Sequence, residues 1–134
     1  MSGPATTLIK VRFAETDAMR FVYYANHFVY YEVARTEWME ARGFPYHQME
    51  EEGYGVPVLE AHCVYKKPAR YGDVLWIRST PSQVDGLRLR FDYETRRGGA
   101  DGLLLDTGWT LHVCMDRSGR PRRPPEKLLA MMAI

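Results

Sequence analysis

Between Asn26 and Arg42 the run NHFVYYEVARTEWMEAR sets apolar side chains on nearly every face of the helix that its spacing predicts. Phe28, Tyr31, Ala34 or Arg35, Trp38 and Ala41 recur at three- and four-residue steps, with Asn26 placed as N-cap and Gly43 as the stop. Phe28, Val29, Tyr30, Tyr31, Val33, Ala34, Trp38 and Met39 together leave no broad polar face for solvent. Such a helix has to be wrapped, and the rest of the chain offers only strands to wrap it.

Thr7–Phe13 alternates Leu8, Lys10 and Arg12 with Ile9, Val11 and Phe13, as a half-buried strand does. After the helix, Pro45 restarts a short helical run to Glu52, and Gly53 and Gly55 mark a turn. Gly55–Lys67 reads as a strand ending at Pro68, and Asp73–Thr80 as the next. A turn at Asp85-Gly86 leads into Leu87–Arg96, where Leu87, Leu89, Phe91 and Tyr93 alternate with Arg88, Arg90, Asp92 and Glu94. A glycine-rich hairpin at Gly98–Gly102 precedes a last strand, Leu103–Met115, and Glu126–Ile134 closes with a short helix. One strand, one long helix and then antiparallel strands predict an α+β fold in a single domain over residues 1–134, with the sheet covering the helix.

With 26% charged residues and a net charge of +1, the chain shows no global attraction to polyanions, so no nucleic-acid partner is expected. No run approaches the ~18 apolar residues of a membrane helix, and Met1–Thr7 lacks signal-peptide order. A cytoplasmic location away from membranes is the expectation. Cys63 and Cys114 have no Cys-x-x-Cys spacing and read as buried free thiols. His27, His47, His62 and His112 have no metal-ligand spacing, so neither a metal nor another cofactor is expected. Glu32, on an otherwise apolar helix, calls for an arginine partner if buried.

Ahead of the helix stands Glu15-Thr16-Asp17-Ala18, followed by Val22-Tyr23-Tyr24-Ala25-Asn26. The first N–H groups of a helix lack internal partners and sit at the positive end of its dipole, so they can stabilise an oxyanion. Asp17 in front of them can cap the loop or the helix, or it can attack a carbonyl or activate water.

Arg12-Phe13-Ala14-Glu15-Thr16-Asp17-Ala18, Val22-Tyr23-Tyr24-Ala25-Asn26-His27 and Tyr31-Glu32-Val33-Ala34-Arg35-Thr36-Glu37-Trp38 resemble the active-site loop and central helix of the 4-hydroxybenzoyl-CoA thioesterase family, most closely its broad bacterial acyl-CoA thioesterase branch. Pro57-Val58, Tyr65–Leu75 and Gly119–Pro125 are similar to later landmarks of that branch in the same order. The resemblance implies a hotdog fold, a homodimer or homotetramer, and hydrolysis of acyl-CoA to a carboxylic acid and CoA. It puts Asp17 on the catalytic carboxylate, as nucleophile or general base, and Tyr24 on the residue whose backbone N–H binds the thioester carbonyl. Ala25 and Asn26 beside it, with Arg70 and Arg88, are the expected substrate-binding positions. Lys66, Lys67, Arg90 and the Arg117–Arg123 cluster are further cations that could meet CoA phosphates. The chain departs from the family at Met19-Arg20-Phe21, where small residues are usual, and at Tyr24, where the branch often has His. Two other classes share the fold: a non-catalytic acyl-CoA-binding protein, and a hydroxyacyl dehydratase, which pairs a catalytic His with an acid.

Overall fold

The computed structural model describes residues 3–132. Its elements in order are β1 (Ala5–Lys10), a 3-10 turn (Phe13–Glu15), α1 (Asn26–Ala41), α2 (Tyr46–Glu51), β2 (Tyr54–Gly55), β3 (Val58–Tyr65), β4 (Val74–Gln83), β5 (Arg88–Arg97), β6 (Leu104–Val113), β7 (Met115–Asp116) and α3 (Glu126–Met132). Five strands form one antiparallel sheet in the order β1-β4-β5-β6-β3, and β2 pairs with β7 apart from it. No helix among the described residues is long and apolar enough to cross a membrane.

Helix α1 lies across the concave face of the sheet, where Tyr31, Ala34 and Trp38 meet the inward residues of β4, β5 and β6: Leu75, Ile77, Leu89, Phe91 and Leu105. Enclosing one such side chain is worth about 1.5–3 kcal/mol, so this layer dominates the stability. Trp38 meets Phe91 edge-on at 5.3 Å, and Tyr31 stacks on Tyr93 at 4.2 Å. The stack needs Gly108 on β6, because a Cβ there would fall 2.6 Å from the Tyr31 ring.

Both hairpins, at Asp85-Gly86 and Gly98–Gly102, stand where the turn residues put them. Elsewhere the structure corrects the sequence reading. Strand β1 ends at Lys10, and Phe13, expected on its buried face, turns into the 3-10 segment and is exposed. The strand expected over Gly55–Lys67 is broken at Pro57, which has no N–H to donate, into β2 and β3. Ala133 and Ile134, expected in the last helix, lie outside the described residues. Helix α1 is covered on one side only: Val29 is 52% and Val33 39% exposed. Strand β3, at one edge of the sheet, also exposes Val58, Leu59, Val64 and Tyr65. Glu32 is exposed, with Arg35 3.7 Å away.

Candidate active site

The loop from the 3-10 turn to α1 is bolted to the helix through Glu15. Its carbonyl accepts from the Tyr23 N–H and from Asn26 Nδ2, both at 2.9 Å, and its Oε1 accepts from the Tyr30 hydroxyl at 3.1 Å. Burial opposes the Glu15 charge, but the Arg12 amide and guanidinium and the Tyr30 hydroxyl outweigh it and hold the carboxyl below its ordinary range. Asn26 is therefore a brace for the loop. The expected cap is instead Ala25, with no side-chain bond, because the Asn26 amide is spent on Glu15.

Asp17 sits at the turn of this loop. Its N–H donates to Phe21 O at 2.8 Å, and its Oδ1 accepts from the Met19 and Phe21 amides at 2.9 and 3.3 Å. Those two bonds fix the carboxylate and leave Oδ2 without a hydrogen bond among the described residues. Arg20 holds the turn at φ 65°, a conformation that costs a side-chain-bearing residue roughly 1 kcal/mol. Its guanidinium lies over the Phe13 ring at 5.9 Å.

Asp17 faces an open cavity of about 340 Å³, lined also by Tyr24, His27, Tyr65, Lys66 and Lys67. At the head of α1, the N–H groups of Asn26, His27 and Phe28 already donate to carbonyls of the preceding turn, whereas those of Tyr24 and Ala25 have no acceptor among the described residues. The Tyr65 hydroxyl donates to the Tyr24 carbonyl at 2.8 Å, which fixes the orientation of this turn. The cavity thus joins a carboxylate to unpaired backbone donors. A more enclosed cavity of about 300 Å³ lies farther along α1, between Arg35, Met39, Tyr46, Phe91 and His112, and does not include Asp17.

The expected substrate-binding residues fare unequally. Neither Ala25 nor Arg70 lines the cavity: each follows a residue that does, Tyr24 and Ala69, and Arg70 holds its guanidinium over the ring of Phe21, another lining residue, at 5.0 Å. Arg88 does not come near: it is paired with Asp85 at 2.8 Å in the β4–β5 hairpin, at the opposite end of β5 from Arg97, which donates to the Pro68 carbonyl at the cavity. Lys66 and Lys67 share the Leu105 carbonyl as backbone acceptor, at 2.9 Å each, and that bulge brings both side chains to the cavity wall. Cys63 is half-buried and Cys114 buried, and burial raises both thiols, Cys114 to about 11, which disfavours a nucleophilic thiolate. Among the described residues no group of three His, Cys, Asp or Glu side chains is placed to hold a metal ion.

Two residues of the site escaped the sequence. His27 lines the cavity with its Nδ1 3.1 Å from Asp106 Oδ2. The signal was there in part, since His27 precedes Tyr31, Ala34 and Trp38 by four, seven and eleven residues and so lies on their buried stripe. Tyr65 opens the Tyr65–Leu75 landmark, where nothing local signals that its hydroxyl reaches the Tyr24 carbonyl.

Residues 11–132 match the model of the Thioesterase-like superfamily. The acyl-CoA thioester hydrolase YbgC of Escherichia coli O6:H1 is 31% identical over 123 residues, covering 91% of this chain and 90% of that one. The 1,4-dihydroxy-2-naphthoyl-CoA hydrolase of Thermosynechococcus vestitus is 31% identical over 124 residues, 91% of this chain and 84% of that one. The crystal structure of AQ1494 from Aquifex aeolicus superposes with a TM-score of 0.90 at 29% identity, covering 96% of this chain and 99% of that one.

Proposed function

The chain belongs to the Thioesterase-like superfamily, with its hotdog fold, and from that premise we propose that it hydrolyses acyl-CoA thioesters to a carboxylic acid and CoA, with Asp17 as the reacting carboxylate. The observation that supports this reading is that Asp17, with one oxygen free of hydrogen bonds, and Tyr24 line one cavity, and that the backbone N–H groups of Tyr24 and of Ala25 next to it have no acceptor among the described residues. The thioester oxygen points at those amides, which stabilise the charge it gains when its carbon is attacked. Asp17 attacks that carbon or takes the proton from the water that does.

Lys66 and Lys67 on the wall, with Arg70 over the ring of the lining residue Phe21, supply cations for the CoA phosphates, in place of the distant Arg88. The exposed Val29 and Val33 and the bare edge strand β3 support a homodimer that covers them. Light scattering at micromolar concentration should then give at least twice the 15.5 kDa chain mass.

The test is colorimetric thiol release over acyl-CoAs graded in chain length and aromatic character. Turnover on part of the panel is expected; saturable binding with no thiol released from any member would replace the enzyme by an acyl-CoA-binding protein.

A further inference from the structure

His27 is a polar side chain in the first turn of α1, 4% exposed, and its surroundings are unusual for a packing residue. Its Nδ1 and Asp106 Oδ2 face each other at 3.1 Å in a bent approach, and neither atom has another polar partner. The other oxygen of Asp106 takes the Tyr31 hydroxyl at 2.5 Å. Tyr31 is itself held by its stack on Tyr93 and lies 3.3 Å from Cys63 Sγ, so the carboxylate has no freedom to turn away. Tyr65 and Tyr30 meet the imidazole edge-on at 5.2 and 5.9 Å. Burying a carboxylate with an imidazole costs desolvation that an apolar pair would avoid. What the arrangement provides is a ring of fixed orientation on a residue that lines the cavity with Asp17: Nδ1 belongs to Asp106, and Nε2 makes no hydrogen bond among the described residues.

We propose that His27 donates the proton that the departing CoA sulfur takes up, with Asp106 as the positioning residue behind it. The proposal rests on the thioesterase reading and adds a second protic group to it. Attack on the carbonyl carbon moves an electron pair to oxygen; its return breaks the C–S bond and leaves a pair on sulfur. The proton passes from His27 Nε2 to that sulfur, giving the free thiol and a neutral imidazole, which regains a proton from solvent. The need for it is clearest if Asp17 attacks directly. A carboxylate, with a pKa of about 3.9, leaves far more readily than a thiolate of about 8.5, so the adduct falls back to substrate unless the sulfur is protonated. The chargeable groups around the ring are Asp106 from β6, Tyr65 and Cys63 from β3, Tyr30 and Tyr31 from α1, and Asp17, Tyr24, Lys66 and Lys67 around the cavity.

The experiment compares two thioesters of one acyl group, the CoA ester and a thiophenol ester whose leaving group is acidic enough to depart unprotonated. His27→Gln should lose about a hundredfold in kcat on the CoA ester, with KM little changed, and stay within about threefold of wild type on the thiophenol ester. Asp106→Asn, which removes the carboxylate that orients the ring, should lower kcat on the CoA ester by about tenfold or more and leave the thiophenol ester within about threefold of wild type, a split that a merely structural loss would not produce. The wild-type enzyme alone gives a measurement independent of how the variants fold: a solvent deuterium isotope effect on kcat should be clearly larger for the CoA ester than for the thiophenol ester. Equal losses of folded His27→Gln on both esters, or equal isotope effects in wild type, overturn the role of His27 and leave the thioesterase reading standing. A wild type that releases thiol from neither ester overturns both.

Discussion

The Tyr31 hydroxyl donates to Asp106 Oδ1 at 2.5 Å across the interface between α1 and β6, with both residues fully enclosed. Burial, followed by the charge of Asp106, pushes the Tyr31 phenol well above its ordinary range, so it stays protonated and remains a donor. Tyr31→Phe preserves the stack on Tyr93 but strips a buried carboxylate of one partner. The expected cost is about 1–3 kcal/mol, a fall in Tm of several degrees measurable by calorimetry. An unchanged Tm would show that water compensates the carboxylate.

Asp17→Asn keeps the size of the side chain and the bonds from the Met19 and Phe21 amides to its oxygen. The charge and basicity are gone, so kcat should fall by about a hundredfold or more with KM little altered. Near-wild-type turnover by the folded variant on every acyl-CoA tested would remove Asp17 from the chemistry.

Tyr65→Phe deletes the bond that pins the Tyr24 carbonyl, together with the hydroxyl's approach to the Cys63 thiol. A neutral hydrogen bond is worth about 1 kcal/mol, so kcat/KM should drop about three- to tenfold, far less than for Asp17→Asn. Steady-state kinetics on the best acyl-CoA of the panel decides whether the turn needs this anchor.

His112 bonds the Val56 carbonyl through Nδ1 and the Thr110 hydroxyl through Nε2, and burial depresses it to about 4 against the pull of the Val56 carbonyl. The unfolded chain, with an ordinary histidine near 6.5, binds the proton more tightly than the folded one. Stability is therefore complete above about pH 6.5 and declines as pH falls toward 4, by up to about 3 kcal/mol. The carboxylates held low at Glu15, Asp85 and Asp116 give up their share at lower pH still. His112→Gln should flatten the dependence of Tm on pH between 6.5 and 4, and a slope equal to wild type would assign that window to other groups.

Arg20 at φ 65° tests how tightly the Asp17 turn is set. Arg20→Gly removes the strain but frees the unfolded chain and loses the Phe13 contact, so stability should stay within about 0.5 kcal/mol. Arg20→Val, β-branched, should cost about 1–2 kcal/mol and lower kcat as the turn distorts. Chemical denaturation of the two variants separates backbone strain from lost charge.

The parts legible in the sequence were those governed by local rules. The three- and four-residue spacing gave α1, the alternation from Leu87 to Arg96 gave β5, and Asp85-Gly86 and Gly98–Gly102 gave the turns. What stayed hidden depends on partners distant in the chain. An asparagine opening a helix reads as a cap until the Glu15 carbonyl is seen to take its amide. Arg88 looks like any other surface cation until the strand register carries it to the far end of β5. The pairing of His27 with Asp106 required α1 to be laid on β6, which no spacing announces.

Glu15 ties the segment bearing Asp17 to α1 through Asn26 and Tyr30 and to the turn before it through Tyr23, while Phe21, whose amide holds the Asp17 carboxylate, is part of the cavity wall. The attachment of the loop and its lining of the cavity are thus separable in heredity. Replacements of the Phe21 side chain, which lines the cavity, can reshape what it admits while the Phe21 amide still holds the carboxylate, so a lineage could change its choice of acyl group without first losing its chemistry.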